Sequence, residues 1–432
     1  MAEKTGEKQN RNFMVIVALV GLLAVAMVLA IAWLNSVPQP EAVPSNLQRF
    51  NSYSDLAAYF ESARTSNRYY GGGDILSSFV LGSVQYSATS KMASESSGAS
   101  GGSPDYSKTN IQVEGVDEAD IIKTDGKYAY ALAGNKLYII EAYPAESAKT
   151  VSETAFESGT PRELFISGDR LLVFSDSYGG YKCAGGPANG QPEKCFGYSG
   201  GTVSARLYDI ADREKPVLEK EIEFEGSYLT SRLIGNNAYF VVNSYPGYNY
   251  GEKDDNTDII PQMRTGGSNG TVSRVAEPEK IGYVPNVMPQ SFVTIVSLNL
   301  ESEEMQKEVL AASGDSVYAS QENLYITAPV WYKAEESIPL QAARSIGGGI
   351  IFPMPSYSEK TSISKFSLDN GKISFEAEGI VPGHIINQFS MDEFEEHFRI
   401  ATTIGQVSRG GSGSTNNVYV LDKGMKLAGK VE

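Results

Sequence analysis

The feature that constrains this chain most is a run of four strand-like segments separated by tight turns, which begins at Thr109. The segments are rich in β-branched and aromatic residues, and Tyr128 to Leu132 alternates aromatic and small residues as a half-buried strand does. The turns Asp125-Gly126 and Gly134-Asn135 contain residue types that tolerate positive φ. The predicted strands are Asp120 to Thr124, Tyr128 to Leu132, Leu137 to Ile140 and Val151 to Phe156.

The same order of strands and turns returns four more times along the chain, which indicates an internal repeat. In the fifth unit the first strand is predicted at Asn387 to Ser390, followed by a polar link from Asp392 to Glu396. Four antiparallel strands in about 40 residues are typical of one propeller blade, so the sequence predicts an all-β propeller with five four-stranded blades in 109–432. The second strands of the five units begin at Tyr128, Leu171, Ala238, Leu324 and Phe398.

Insertions separate the second and third strands of the later units, which places them together on one face of a propeller. Loops on one face of a rigid scaffold are where binding residues concentrate. The insertions are rich in aromatic residues among Gly, Ser and Asn, a mixture suited to binding protein or glycan, although these side chains could instead pack their own loops. The candidate binding residues are Tyr245, Tyr248, Tyr250, Trp331, Tyr332 and Tyr357.

The stretch GVDEADIIKTDGK, from Gly115 to Lys127, resembles the entry segment of the secreted β-propeller proteins distantly related to WD40 repeats. The resemblance extends from about Ser45 to the end and implies a β-propeller fold, with no reaction firmly attached to the family. Family members run longer than this chain. We therefore favour a fragment with an incomplete ring, the alternative being five blades that close through a strand from the N-terminal segment.

The N-terminal part predicts a membrane anchor. Phe13 to Leu34 is an apolar run of 22 residues without a charge, long enough to cross a bilayer as a helix. Lys4, Lys8 and Arg11 precede it, so residues 1–12 are expected in the cytoplasm and the propeller outside the cell. The alternative is a cleaved signal peptide and secretion.

Residues between this run and the propeller divide into three predicted segments. Residues 35–50 form a Pro-rich stalk, and 51–86 contain a short helix that Ser54 caps. Its stripe of Leu56, Tyr59, Phe60 and Ala63 is expected to pack on the propeller. Residues 87–108 form a Ser/Gly-rich linker that we expect to be disordered.

The two cysteines, Cys183 and Cys195, lie in a turn-rich loop and are predicted to form a disulfide in an oxidising exterior. Zinc is the alternative, but it would need two further ligands. Asn269 begins an Asn-Gly-Thr sequon and is a candidate glycosylation site.

Two acidic groups are candidate Ca²⁺ ligands, since Ca²⁺ prefers carboxylate and amide oxygens. A solvated loop is the alternative for the first, and the second departs from an EF-hand at Ile259 and Thr265, which leaves an isolated cation site. The first lies in the signature and consists of Glu114, Asp117, Glu118 and Asp120. The second has alternate spacing and consists of Asp254, Asn256 and Asp258. No other cofactor is predicted. The formal net charge of −16 argues against a nucleic-acid partner, which requires clustered Lys and Arg.

Catalytic signals are weak, and we assign no catalytic residue. His384 and His397 are the only histidines, and both are interpreted as structural. Ser199 and Ser268 match a Gly-x-Ser-x-Gly pattern but lack the helix that a nucleophile elbow requires. The leading hypothesis is a membrane-anchored binding or scaffold module of the cell envelope. The alternatives are an extracellular hydrolase of peptide or glycan that uses carboxylates of the insertions, and a Ca²⁺-dependent adhesion protein.

Overall fold

Five mainly antiparallel sheets, each with at least four strands, follow one another along the chain and are here numbered 1 to 5. The structure is a computed structural model that describes residues 47–70, 111–177, 181–184, 194–198, 201–246, 258–267, 269–285, 289–333, 345–346, 349–350, 357–405 and 413–432. This all-β arrangement is consistent with a propeller. Of the predicted stalk, residues 47–50 are described, and instead of standing off the propeller they pair with sheet 3 through Gln48 and Arg49 and bury Phe50. Residues 35–46, the linker, Ser199 and Ser268 lie outside the described residues.

The segment before sheet 1 contributes two short strands and one helix, β1 (Gln48–Arg49), α1 (Tyr53–Tyr70) and β2 (Asp117–Glu118). The hydroxyl of Ser52, rather than the predicted Ser54, accepts the backbone N–H of Asp55 at 3.2 Å and caps the helix. Leu56 and Phe60 are buried, and the ring of Phe60 lies 4.6 Å from that of Phe292. The apolar stripe of the helix therefore packs on sheet 3, as the sequence predicts.

The predicted transmembrane helix is corrected by the structure. Within the described residues the α-helix is α1, whose charged side chains make it too polar for a bilayer, and no helix there is long and apolar enough to cross one. The run from Phe13 to Leu34 lies outside the described residues.

Sheet 1 has its four strands where the turn pattern predicts them. Gly134 adopts a φ of 61° in the turn between its second and third strands, as a glycine in a tight hairpin can. The strands are β3 (Ile122–Thr124), β4 (Tyr128–Ala133), β5 (Lys136–Glu141) and β6 (Lys149–Ala155).

Sheet 2 is six-stranded instead of the predicted four, because part of a later insertion folds back as a hairpin and pairs with its outer strand. A separate two-stranded hairpin lies in its own insertion. In chain order the strands of this unit are β7 (Thr160–Ser167), β8 (Arg170–Ser177), the hairpin strands β9 (Tyr181–Ala184) and β10 (Lys194–Tyr198), then β11 (Thr202–Asp209) and β12 (Val217–Glu225).

Sheet 3 is seven-stranded, because β1, β2 and one inserted strand extend the four predicted strands. In chain order this unit contains β13 (Ser227–Ile234), β14 (Asn237–Ser244), β15 (Gln262–Thr265), β16 (Thr271–Arg274), β17 (Ile281–Tyr283), β18 (Phe292–Asn299) and β19 (Met305–Ala311). The hairpin β15–β16 is the one that joins sheet 2, whereas β17 pairs in parallel with β19.

Sheet 4 has the predicted four strands, with two of them extended toward the insertion. They are β20 (Ser316–Ala319), β21 (Asn323–Lys333), β24 (Tyr357–Asp369) and β25 (Lys372–Pro382). A short pair of inserted strands, β22 (Ser345–Ile346) and β23 (Gly349–Ile350), lies between β21 and β24.

Sheet 5 is four-stranded, but its first strand differs from the prediction. The residues 388–390 form one turn of 3₁₀ helix, in which the side chain of Asn387 accepts the backbone N–H of Phe389. This local capping bond competes with strand formation. The first strand instead begins at the buried Met391 and continues into the predicted polar link. The strands are β26 (Met391–Phe394), β27 (His397–Ile404), β28 (Thr415–Leu421) and β29 (Leu427–Val431).

Four hydrophobic clusters hold consecutive sheets face to face. Tyr130 of sheet 1 shares a cluster with Leu171 of sheet 2, and Phe174 of sheet 2 lies 5.1 Å from Phe240 of sheet 3. Between sheets 4 and 5, the rings of Tyr325 and Phe398 stack at 4.2 Å. Burial of a large apolar side chain stabilises by about 2–3 kcal/mol, so these clusters are the main cohesion of the domain.

Candidate functional site

The signature segment forms a strap, residues 112–120, along the first strands of sheets 5, 4, 3 and 2. The amide of Gln112 donates to the backbone oxygens of Gln388 and Met391 at the start of sheet 5. The carbonyl of Glu114 accepts the Gln321 side chain of sheet 4 at 2.8 Å. β2 then pairs with β13 of sheet 3, and Asp120 forms a bridge with Leu164 of sheet 2. The strap therefore forms hydrogen bonds with four sheets before the chain enters sheet 1.

The side chains of the strap close the ends of the hydrophobic clusters. Val116 is buried in the cluster between sheets 3 and 4, and Val113 packs there and against the cluster of sheets 4 and 5. Ala119 packs against the cluster between sheets 2 and 3. The small apolar residues Val113, Val116 and Ala119 recur every third position, with acidic residues between them, so one side of the strap faces the core.

The predicted Ca²⁺ ligands of the signature lie beside cationic side chains. Lys123 is 2.7 Å from Asp117, and the guanidinium of Arg232 is 3.4 Å from Glu118. Asp120 accepts its neighbour's backbone N–H, and Glu114 is exposed. In the part of the chain that the structure describes, no group of three or more metal-ligating side chains is present. Ca²⁺ binding here stays a prediction.

The second acidic group is only partly described. Asp258 pairs with the guanidinium of Arg274, and its other oxygen accepts the backbone N–H of Ile260. Asp254 and Asn256 lie outside the described residues.

The predicted disulfide and glycosylation sites have favourable backbone positions. Cys183 and Cys195 are directly paired across the antiparallel strands β9 and β10. Opposed residues of such a pair have Cα atoms about 4.5–5.5 Å apart, within the range that a disulfide spans. Asn269 is exposed in the turn between β15 and β16. Both modifications stay predictions.

The larger insertions all leave their sheets at the same end, here called the insertion end. Each connects the second and third strands, which pair directly with each other in the ladders β8–β11, β14–β18, β21–β24 and β27–β28. Tyr245 follows β14 at this end and is 71% exposed. Tyr248 and Tyr250 lie outside the described residues.

The remaining predicted aromatic residues occupy the extended ends of β21 and β24. The register sets Trp331 directly opposite Glu359, Tyr332 opposite Ser358, and Tyr357 opposite Lys333. Three of the six predicted binding residues are therefore brought to one point of the insertion end of sheet 4.

A histidine–carboxylate pair, which the sequence did not predict, lies at the same point. The Nδ1 atom of His384 is 2.8 Å from an oxygen of Glu359. The backbone supports this pair, because Gly383 donates to the carbonyl of Glu359 and His384 bridges Thr403 of sheet 5. A carboxylate on Nδ1 fixes the tautomer and leaves Nε2 as the group that meets a ligand. The Nδ1 atom of His397 lies 2.7 Å from the carbonyl oxygen of Glu395.

A cavity of about 390 Å³ lies at the opposite end, between sheets 1 and 2. Its wall is fixed by Arg213, which donates to the hydroxyl of Tyr130 and to the carbonyl of Ile210. Lys127 lies 3.2 Å from Glu141 and lowers the pKa of that carboxyl. The lining residues are Tyr128, Glu141, Val151, Ala211, Asp212, Arg213 and Glu214.

Carboxyl groups with raised pKa values are buried by the packing of the sheets and are not among the residues that line this cavity. Burial raises the pKa of Glu163, whose oxygen accepts the Tyr228 hydroxyl at 2.8 Å, and that of Asp176. It also raises the pKa of Glu378 to about 8. The described residues thus do not bring two such carboxyls together in the cavity.

Comparisons with known proteins agree with this architecture. Residues 106–432 match the family model described as a β-propeller domain. An uncharacterised protein of Methanocaldococcus jannaschii is 26% identical over 376 residues, which are 76% of this chain and 54% of that protein. An uncharacterised protein of Archaeoglobus fulgidus is 26% identical over 504 residues, 96% of this chain and 71% of that protein. The chain thus spans about half the length of the first relative. Because the family model covers more than half of it, the chain belongs to the β-propeller domain family.

Proposed function

We propose that this chain is a binding and scaffold module of the cell envelope whose ligand contacts lie at the insertion end. The observation that carries the proposal is the convergence at Glu359. Its backbone is directly opposite Trp331, and its carboxylate holds His384 from the neighbouring sheet. Two adjacent sheets thus bring an aromatic residue, a carboxylate and an imidazole to the end where the insertions emerge.

The chemistry of this point suits a protein or glycan ligand. Aromatic residues supply large rigid contact area, and the imidazole and carboxylate exchange hydrogen bonds with amides or hydroxyls. Tyr245, also at the insertion end, is 71% exposed although its ring is largely apolar. Exposed tyrosines are enriched at recognition surfaces.

Binding is supported over hydrolysis by the position of the carboxyl groups. A hydrolase needs acidic groups with perturbed pKa values that share a cleft. Glu359, at the insertion end, is paired with the imidazole of His384, whereas Glu141, in the cavity at the opposite end, has a lowered pKa. The envelope location is supported by the opposed positions of Cys183 and Cys195, since disulfides persist in oxidising compartments.

A glycan array and a displayed peptide library, each probed with the purified chain, test the proposal. We expect Tyr245→Ala and His384→Ala to weaken binding of any ligand found by at least tenfold. Tyr143→Ala is the matched control, since Tyr143 is also exposed, at 54%, but follows β5 at the opposite end. Equal losses in all three variants, or a loss confined to Tyr143→Ala, would contradict a site at the insertion end.

A further inference from the structure

A layer of buried polar side chains lies between sheets 4 and 5, on the side of the insertion end. Ile363 of sheet 4 and Ile400 and Tyr419 of sheet 5 are buried in the cluster that joins the two sheets. Thr361 and Thr402 lie two residues further toward the insertion end, and both are buried. Because side chains two residues apart share one face of a strand, these threonines face the same contact between the sheets. The apolar contact therefore ends in polar groups.

Both threonines are bonded to the segment that crosses from sheet 4 to sheet 5. The hydroxyl of Thr361 donates to the carbonyl of Gly383 at 2.6 Å, and that of Thr402 donates to the carbonyl of Pro382 at 2.7 Å. Each hydroxyl therefore uses its proton within the fold and can still accept a hydrogen bond. The polar layer thus holds the backbone that leads directly into His384.

Asn417 completes this layer, and its amide nitrogen has no hydrogen-bond partner. The residue lies directly opposite Thr402 in the ladder of β27 and β28, two positions from the buried Tyr419. Asn417 is only 3% exposed, and its Nδ2 atom bonds to none of the described residues. A buried donor without an acceptor destabilises the folded state, so such groups are rare and call for an explanation. A ligand oxygen that accepts this N–H would supply one.

The pair of His384 and Glu359 lies between this layer and the solvent. Glu359 is two residues from Thr361 toward the insertion end, which separates their Cα atoms by about 6.6 Å along the strand. His384 bridges Thr403, the residue after Thr402. The side chains of the pair are 37% and 27% exposed. The pair therefore forms the mouth of a polar site, and the buried amide of the layer below forms its floor.

Sugar hydroxyls match the mouth and the floor together, because each hydroxyl both donates and accepts hydrogen bonds. The floor offers the N–H of Asn417, whereas the mouth offers the carboxylate of Glu359 as an acceptor and the imidazole of His384. A sugar ring presents several hydroxyls on one rigid frame, so it can meet both levels at once. An apolar peptide side chain would leave the amide unpaired, which lowers affinity. The arrangement therefore favours a glycan.

We propose that the binding site at the insertion end takes a glycan, and that the side-chain amide of Asn417 donates to one of its hydroxyls at the floor of the site. This role rests on the proposed function, to which it adds the class of ligand and a binding residue. The fold then keeps a polar group that is unfavourable in the free protein because the group is paired in the complex.

Stability and glycan affinity of Asn417→Leu test this role. Leucine has the same branched shape as asparagine but no N–H, so the free energy of unfolding is expected to stay unchanged or to rise. Affinity for the glycans that the wild type binds on an array is expected to fall about tenfold, since one buried hydrogen bond to the ligand is lost. Asn416→Leu is the matched control, because Asn416 is exposed and accepts the Thr403 hydroxyl on the other face. If Asn417→Leu does not fold, Asn417→Ala replaces it.

His384→Ala separates the role of Asn417 from the proposed function. Glycan binding that is weakened in His384→Ala but unchanged in Asn417→Leu would overturn the role of Asn417 and leave the site in place. Equal losses in Asn417→Leu and Asn416→Leu would overturn that role too. A chain retained by a displayed peptide library and by no glycan of the array would overturn the glycan class alone. Retention by neither probe would overturn both the glycan site and the proposed function.

Discussion

The guanidinium of Arg232, in the first strand of sheet 3, lies 3.4 Å from the carboxylate of Glu118 in the strap. The Arg232 side chain is only 5% exposed, and it also donates to Thr230 and to the Gln388 side chain of sheet 5. One side chain thus joins the strap, sheet 3 and sheet 5. The signature acids function here as partners of buried cations, which gives the signature a structural role.

Replacement of Arg232 by methionine should destabilise the domain strongly. Removal of one partner from a buried ion pair costs about 3–5 kcal/mol, because the remaining charge loses its compensation. We expect the lower end of that range for Arg232→Met, since Glu118 is 20% exposed. Chemical denaturation measures the free energy of unfolding.

Arg264→Met is the control for Arg232→Met. Arg264 is 2.8 Å from Glu223 but its side chain is 40% exposed, so its loss should cost at most about 1 kcal/mol. Equal losses of stability in the two variants would contradict the role of Arg232 in joining the strap to sheets 3 and 5.

Gly115→Ala should destabilise the domain more than Gly134→Ala. Both glycines have positive φ, 82° and 61°, which costs an alanine about 1–2 kcal/mol. A Cβ on Gly115 would also lie 2.5 Å from the Gln321 amide nitrogen, whereas one on Gly134 meets nothing within 4 Å. The measurement is the free energy of unfolding of each variant.

The double variant Gly115→Ala, Gln321→Ala isolates the clash between the strap and sheet 4. It should recover part of the extra loss, with Gln321→Ala alone reporting the cost of the missing hydrogen bond to Glu114. Gly115→Ala as mild as Gly134→Ala would contradict the prediction and show that the Gln321 side chain moves aside without cost.

Local signals in the sequence were enough to predict the repeated strands, because hairpin turns and the alternation of side chains depend on residues that are adjacent in sequence. Gly168 and Gly235 have a φ of 58° in the turns that the repeats predict. In the fifth unit the local reasoning failed, because the Asn387 side chain stabilises a 3₁₀ turn where a strand was predicted.

Contacts between distant segments were not predictable from one sequence. The sequence of the signature indicates an acidic loop. Only the pairing of β2 with β13 places Glu118 beside Arg232. Likewise His384 and Glu359 are 25 positions apart with no shared motif, and the pair exists because β24 and the entry to sheet 5 meet at the insertion end.

Removal of calcium should leave the melting temperature of the domain unchanged. Asp117 and Glu118 already face Lys123 and Arg232, so a cation at the signature would have to displace these ammonium and guanidinium groups. Calorimetry with EDTA against added CaCl₂ measures the effect. A melting temperature that rises with CaCl₂ and falls with EDTA would support a Ca²⁺ site and the adhesion hypothesis.

Cys183 and Cys195 should be joined by a disulfide in protein taken from an oxidising compartment. Their paired positions on β9 and β10 require no movement of the backbone. Intact mass under non-reducing conditions should be smaller by two hydrogen atoms than after reduction and unfolding. Free thiols in the protein from its native compartment would contradict both the bridge and the proposed location.

Glu378 should make the domain less stable as the pH rises through neutrality. The side chain is buried in β25, its Oε2 atom has no hydrogen-bond partner among the described residues, and burial raises its pKa to about 8. In the unfolded chain the group has its usual pKa near 4.5. The folded state therefore binds more protons between these values.

The stabilising contribution of the protonated Glu378 carboxyl is fully present below about pH 4.5 and is lost as the pH rises toward about 8, by up to about 1.4 kcal/mol per pH unit. Glu378→Gln keeps a neutral side chain of the same shape and should flatten this slope, becoming more stable than the wild type above pH 8. Glu376→Gln, on the same strand with a 44% exposed side chain, should leave the slope unchanged. The test is the free energy of unfolding of each variant, measured from pH 5 to 9. A pH dependence in Glu378→Gln as steep as in the wild type would assign the titration to another group.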